Sequence, residues 1–413
     1  MRATSLLNTL LGIKYTRVTA FDFDEFGLTC DVEPTTEIPR CGGCGAQVRQ
    51  VHDRRGARTW RHLDLCGMTL HLRYAPRRVR CSPCGVTTEL VPWAEPQGWF
   101  THAFEQMVGY LAQNASTTVV STMMRVAWRT VGAIIGRVVE RARPAEPLAG
   151  LRRIGIDELS YRKHHKYVTV VVDHDTGRVV WAREGKNADT LKAFFAELGT
   201  EGCDALEAVT IDMSGAYIAA VTECAPNATL VFDRFHVQRL LQDALDEVRR
   251  AEVRGAEDAD ERRVLKHTRW ALLKNPWNLT AVQHGKLTDL PKQNATLYRA
   301  YLMKESFAGI LDERDPVTAR AKLTDWISWA THSRIAPFVK AAQTIRKHLD
   351  GIVAYVETGL SNGRTEGTNG KVRTITRRSY GLHSAQALIS LILLCCSGLK
   401  LEPPQSSPLF HQT

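Results

Sequence analysis

Apolar and polar positions change period several times along this chain. Around YTRVTAFDFDEFGLTCDVEP, within residues 1–40, they alternate every second residue, which predicts strands in what looks like a lead-in. Residues 101–143 take helical spacing and end at RARPAEPLAG, a Pro/Gly/Ala linker. From residue 151 strands return as RRIGIDEL, KYVTVVVD, a turn at HDTG, and RVVWARE. A helix (NADTLKAFFAEL), a strand (LEAVTID), a helix (SGAYIAAVTEC) and a strand (ATLVFD) follow. Residues 234–350 then read almost wholly as helix, with charged faces and Trp270, Trp277, Trp326 and Trp329. The most apolar run, ALISLILLCCSGLK at 387–400, is too short to span a bilayer and predicts a buried helix. The last segment, LEPPQSSPLFHQT, has the make-up of a disordered tail.

Three strands joined by short turns, then a helix and strands alternating with helices, is the order of a ribonuclease-H-like sheet. A chain of 413 residues exceeds one core, so several domains are expected. Net charge is +10 and the isoelectric point about 9.2, which points to a polyanionic partner. No secretory signal pattern opens the chain, so the ten cysteines suggest reduced thiols or metal ligands, and a cytoplasmic protein.

Cys41 and Cys44 in CGGCG, and Cys81 and Cys84 in CSPCG, form two knuckles, each followed by glycine. Four thiolates from two such turns suit tetrahedral Zn²⁺ and can hold a small domain without a large core. The stretch between them is too long for a simple ribbon and predicts a hairpin insert. Nine arginines fill it (Arg49 to Arg80), with Trp60 and Tyr74 interleaved, a composition suited to phosphate contacts and stacking. Beyond it, TTVVSTMMRVAWRTVGAIIGRVVERA reads as two helices with a turn near Val126–Trp128. In a helix-turn-helix the second helix enters the major groove by its first residues, here Arg129 and Thr130, while Val131, Ile134, Ile135 and Val138 face inward.

The acids carry the candidate chemistry. Asp157 ends the first strand of the sheet and Asp212 the fourth, which are neighbours in the predicted order. Glu366, in GLSNGRTEGTNGKVRTITRRSYG, would join them from a helix beyond the helical block. Three such acids repel one another unless Mg²⁺ (or Mn²⁺) binds between them. Asp233 and His236, in VFDRFHV, are supporting candidates: Asp233 as ligand, helix cap or partner, His236 as phosphate contact or packed histidine. Glu158 follows Asp157 and so faces the other side of its strand, a poor third ligand. Around Glu366, glycines permit close approach, while Arg364, Lys371, Arg373, Arg377 and Arg378 are candidate DNA contacts.

These residues resemble insertion-sequence transposases of the ISL-three family, of DDE type. The likeness runs through CGGCG…CSPCG, GIDELSYRK, TIDMSGAY, DRFHV and LSNGRTEGTN. It implies Asp157, Asp212 and Glu366 as a metal-binding triad, and binding to double-stranded DNA at terminal inverted repeats and target sites. Metal-assisted cleavage at the element's ends and joining to target DNA would follow, by a homodimer or larger assembly and with no membrane partner. The expected architecture is an α/β ribonuclease-H-like catalytic core interrupted by an all-α insertion, with an N-terminal zinc-binding domain and a helix-turn-helix domain. Its expected segments are 1–95 (zinc), 100–145 (helix-turn-helix), 151–240 (core), 241–350 (insertion), 351–400 (core, last part) and 401–413 (disordered tail). A catalytically inactive regulator and a nuclease of the same fold are the competing readings; loss of metal-dependent nicking would mark the first, and a strand-transfer assay separates the second from a transposase.

Overall fold

In the computed structural model the chain divides into two units, residues 1–143 with 375–413, and residues 144–374. Described are residues 3–25, 27–162, 166–360, 363–379 and 384–404; the side chains of Arg162, Glu261, Arg364, Thr365, Glu366 and Asn369 also lie outside the description. The tail is therefore followed only to Pro404, and the rest of that expected disordered segment lies outside the described residues.

The first unit opens with helix α1 (Ala3–Leu11) and strands β1 (Thr16–Asp24), β2 (Gly27–Pro34), β3 (Arg40–Cys41), β4 (Val51–Arg54), β5 (Arg58–Leu65), β6 (Met68–Tyr74), β7 (Arg77–Cys81) and β8 (Gly85–Leu90). They form two four-stranded sheets, ordered β1-β2-β6-β5 and β3-β8-β7-β4. Residues 1–40 are thus no lead-in: β1 and β2 make a hairpin, and β2 runs parallel to β6. Every second position of β2 (Leu28, Cys30 and Val32), with Val18 of β1, is buried in one core with Trp60, Leu70, Leu72 and Trp93, while Phe21 and Phe23 of β1 stay exposed. Glu89 is buried here but satisfied, accepting from the Tyr74 hydroxyl at 2.8 Å and from Arg77 N and Nε at 2.6 and 2.8 Å. Helices α2 (His102–Asn114), α3 (Thr117–Met124) and α4 (Trp128–Ala142) follow. Thr101 and Ser116 cap the first two by accepting from Phe104 N and Val119 N.

The second unit holds β9 (Arg153–Arg162), β10 (Lys166–Asp173), β11 (Val179–Glu184), α5 (Ala188–Asp204), β12 (Ala208–Ile211), α6 (Gly215–Cys224) and β13 (Thr229–Phe232). They build a five-stranded sheet ordered β11-β10-β9-β12-β13. Its first three strands are an antiparallel meander, while β9, β12 and β13 are parallel. From Arg234 to Arg378 the described residues are helical and loop only: α7 (Arg234–Gly255), α8 (Ala259–Lys266), α9 (Arg269–Leu273), α10 (Ala281–Gln293), α11 (Ala295–Ile310), α12 (Pro316–Thr331), α13 (Ala336–Lys347), α14 (Leu349–Thr358) and α15 (Gly363–Arg378), with a short 3₁₀ turn at Pro276–Asn278. Helix α14 packs on β13 through Gly351, where a Cβ would stand 2.4 Å from the Phe232 ring.

The last helix, α16 (Ala385–Cys396), differs from the expected assignment of 351–400 to a single closing piece of the core. It packs in the first unit, on α4 and α2. Eight of its apolar side chains and Ser390 are buried, so it needs cover on most sides. Gln113 of α2 anchors it by donating to Leu394 O and Leu399 O, each at 2.8 Å. No helix among the described residues is long and apolar enough to cross a membrane.

Candidate functional site

Strands β3 and β7 end at Cys41 and Cys81, and each chain end turns back through a tight knuckle. The sulfurs of Cys41, Cys44, Cys81 and Cys84 all lie within 4.8 Å of one another, with Cys44 and Cys81 at 3.6 Å. Tetrahedral zinc with bonds of about 2.3 Å requires sulfurs roughly 3.8 Å apart, so the set fits. Gly45 and Gly85 close the knuckles at φ +72° and +70°, where a side chain would be strained. The Thr87 hydroxyl, 3.1 Å from Cys41 Sγ, and then the backbone N–H of Cys44 pull the Cys41 thiol down to about 6, favouring the thiolate. This is the sole set of three or more His, Cys, Asp or Glu ligand atoms so gathered among the described residues.

The arginines of the head are largely spoken for. Arg73 pairs with Asp31, Arg77 with Glu89, Arg78 with Asp53 and Arg61 with Asp64. Trp60 and Tyr74, read from sequence as stacking surfaces, are core residues. Arg49, Arg54, Arg55 and Arg80 remain exposed and carry what phosphate-binding capacity the insert has.

Between α3 and α4 the chain turns at Arg125, which takes φ +53° and ties its guanidinium to Asp64 and to Gly67 O at the β5–β6 turn. Val131, Ile134, Ile135 and Val138 are buried on the inner face of α4, as its spacing predicts. Arg129 and Thr130 open the helix and line a cleft of about 1100 Å³ with Trp99, Arg137 and the knuckle residue Gly42. Buried Glu105 of α2 sets the roll of α4, accepting from Arg137 Nε at 2.7 Å and Arg141 Nη1 at 3.0 Å.

In the second unit Asp157 lies on β9, Asp212 one residue past β12, and Asp233 one past β13. Thr210 pairs with Gly155 and Ile211 with Phe232. Extending those registers by two residues and by one sets Asp212 level with both Asp157 and Asp233, in a row across three parallel strands spaced about 4.8 Å apart. Backbone N–H groups steady two of them: Glu158 N donates to Asp157 Oδ1 at 2.7 Å, and Ser214 N to Asp212 Oδ1 at 2.9 Å. Asp233 precedes α7 yet makes no side-chain cap; it is buried, and its Oδ2 stands 3.0 Å from His236 Nδ1. That hydrogen bond raises the proton affinity of His236 above the ordinary imidazole value, against burial, and the charges of Asp233, Asp157 and Asp212 add to it. The row therefore concentrates negative charge on hard oxygen donors, though among the described residues these are not gathered as closely as the four thiolates.

Glu366 falls in the first turn of α15; its side chain and that of Arg364 lie outside the described residues. Lys371, Arg373 and Arg377 are exposed on the same helix. Arg378 is not: its guanidinium caps the end of α2, donating to Ala112 O at 3.0 Å and Gln113 O at 3.2 Å. Its place as a DNA contact in the sequence reading gives way to that internal role.

A family model described as Transposase, of the ISL3 type, matches residues 154–392. Models for the helix-turn-helix domain of transposase family ISL3 and for the zinc-finger of transposase IS204/IS1001/IS1096/IS1165 match residues 89–139 and 37–84. The chain is 39% identical over 429 residues to the Transposase for insertion sequence element IS1557 of Mycobacterium tuberculosis, covering 96% of each. It is 30% identical over 358 residues to the Transposase for insertion sequence element IS1001 of Bordetella parapertussis, covering 86% of this chain and 88% of that one. The chain belongs to the ISL3 family of transposases.

As a DNA-binding, DNA-cleaving transposase it carries two features that sequence reasoning missed. Trp99, 66% exposed beside Arg129 in the cleft, has the Arg58 guanidinium 4.9 Å from its ring. Glu158 does face away from Asp157, across from Thr169, but it is not idle. Burial and then the charge of Asp212 push its carboxyl above the usual range, and the Tyr217 hydroxyl bonds to it. Only the spacing of Tyr217 five residues after Asp212, in the first turn of α6, hinted at such a partner.

Proposed function

We propose that this transposase binds the terminal inverted repeats of its element through the zinc head and helix-turn-helix, and cleaves and transfers DNA strands at an acid site of Asp157, Asp212 and Glu366. The observation that carries this is the register that levels Asp157 with Asp212 on adjacent parallel strands. The sheet order, a meander followed by parallel strands, supports a ribonuclease-H-like core, and the helices after β13 support an all-α insertion within it.

Asp157, Asp212 and Glu366 would hold Mg²⁺ or Mn²⁺. When bound, such ions activate the attacking oxygen and offset charge on the leaving oxygen. His236, held by Asp233 and kept readily protonated by the row of acids, is placed to meet a phosphate or to orient a carboxylate. Exposed Lys371, Arg373 and Arg377 hold the strand near Glu366. Two element ends must be cut together, so a dimer or larger assembly on DNA is the working form.

The test is Mg²⁺-dependent cleavage and strand transfer on DNA carrying the element's ends, comparing wild type with Glu366→Gln. Loss of at least about a hundredfold in the variant, with end binding kept, is expected. Equal cleavage by both would remove Glu366 from the site and turn attention to Asp233.

A further inference from the structure

We propose that Glu158 is a positioning residue for the acid site: its backbone N–H orients Asp157, and its carboxyl, through Tyr217, seats the turn that carries Asp212. The inference rests on the acid-site reading above and adds a residue to it.

Glu158 N donates to Asp157 Oδ1 at 2.7 Å, so the strand itself aims one carboxylate. On the opposite face of β9 the Glu158 carboxyl bonds to the hydroxyl of Tyr217, a side chain only 1% exposed on the first turn of α6. That hydroxyl also lies 2.8 Å from Thr169 Oγ1, which in turn donates to Gly185 O at 2.8 Å. The far end is closely packed: the Gly185 backbone sits against the Thr190 side chain with no room for a Cβ, and its φ is +124°. Helix α6 is thereby pinned to β9 and β10 at its N-terminus, three residues after Asp212. Ser214, just ahead of α6, donates its N–H to Asp212 Oδ1 at 2.9 Å. Any shift of Tyr217 moves that donor, and the carboxylate with it. A buried tyrosine hydroxyl that loses its carboxyl partner keeps only Thr169, which favours a reseated α6.

The experiment follows Mn²⁺ binding to the full-length chain by the electron paramagnetic resonance of free Mn²⁺, alongside thermal melts. Tyr217→Phe keeps the packing and removes only the hydroxyl; Glu158→Ala removes its partner. Each should weaken Mn²⁺ binding by about tenfold or more, as loss of a supporting hydrogen bond around a metal site does. Glu158→Gln offers that hydroxyl both an acceptor and a donor, so its affinity should stay within about threefold of wild type. A purely structural bond would lower the melting temperature of Tyr217→Phe and leave Mn²⁺ affinity alone, overturning the proposal. Glutamine failing as badly as alanine would overturn it too, since Glu158 would then be a ligand itself. Asp157→Asn separates the two levels: if that variant binds Mn²⁺ like wild type, the acid-site reading falls and this proposal with it.

Discussion

Stripping zinc from the head should unfold its second sheet, β3-β8-β7-β4, while the first sheet and the helices beyond it stay folded. The reason is the size of the core. Beneath the second sheet the buried apolar cluster is Cys41, Val79 and Cys81, with Val48 partly buried against it, and two of those three are metal ligands. One buried valine contributes about 1.5–3 kcal/mol. Ordering each residue costs about 1–2 kcal/mol, so a single side chain cannot hold four strands. A structural zinc in a small domain supplies about 10–16 kcal/mol, which makes the metal the core of this sheet. The first sheet buries Trp60, Leu70, Leu72 and Trp93 with no metal among them. Hydrogen exchange read by mass spectrometry on the full chain, before and after chelation under reducing conditions, tests this. The amides of Cys41, Gly42 and Arg80, bonded to Ala46 O, Thr88 O and Gln50 O, should lose protection. Those of Arg61 and Thr101, bonded to Trp99 O and Arg61 O, should keep it. Cys81→Ser should reproduce the chelated pattern. If one zinc per chain is released and Cys41, Gly42 and Arg80 stay protected, the metal is not what holds the sheet, and the comparison of cores is wrong.

Other outcomes follow from single residues. Burial, and then the charge of Arg61, pull the buried His62 down to about 4. Its unfolded value is about 6.5, so the stability it contributes is full above that pH and is lost as pH falls toward 4. Acid melts of wild type should lose about 3 kcal/mol more than those of His62→Gln across that window, and parallel slopes would refute the assignment. Arg129→Ala should weaken binding to terminal-repeat DNA by about 1–3 kcal/mol in a mobility-shift titration; unchanged affinity would take Arg129 off the DNA. Arg377→Ala should lower the slope of log affinity against log salt by about one, whereas Arg378→Ala, removing an α2 cap, should leave the slope alone and reduce the melting temperature. Gly351→Ala should cost about 1–3 kcal/mol in a thermal melt, because its Cβ drives α14 off Phe232.

Much of this architecture is local information. The two cysteine knuckles and the inward stripe of α4 lie within short windows, and the order of strands and helices along the chain predicts β9 and β12 as neighbours. Period and turn residues suffice there, because they decide which side chains share a face. Asp157 and Asp212 could be named for that reason. What the sequence could not decide was which face is covered and which charge is neutralised. The partners of Arg73 and Arg77 come from separate strands, and Trp60 is core because Trp93 and Leu72 close over it. Arg378 looks like its exposed neighbour Arg377 until the end of α2 claims it. Glu158 faces away from Asp157 as alternation requires, yet its carboxyl bonds to Tyr217, five residues past Asp212. Composition and periodicity determined the elements and the acids they carry. Only tertiary contact, which brings distant donors within hydrogen-bonding reach and shuts water out, decided which of those groups are left to meet DNA and metal.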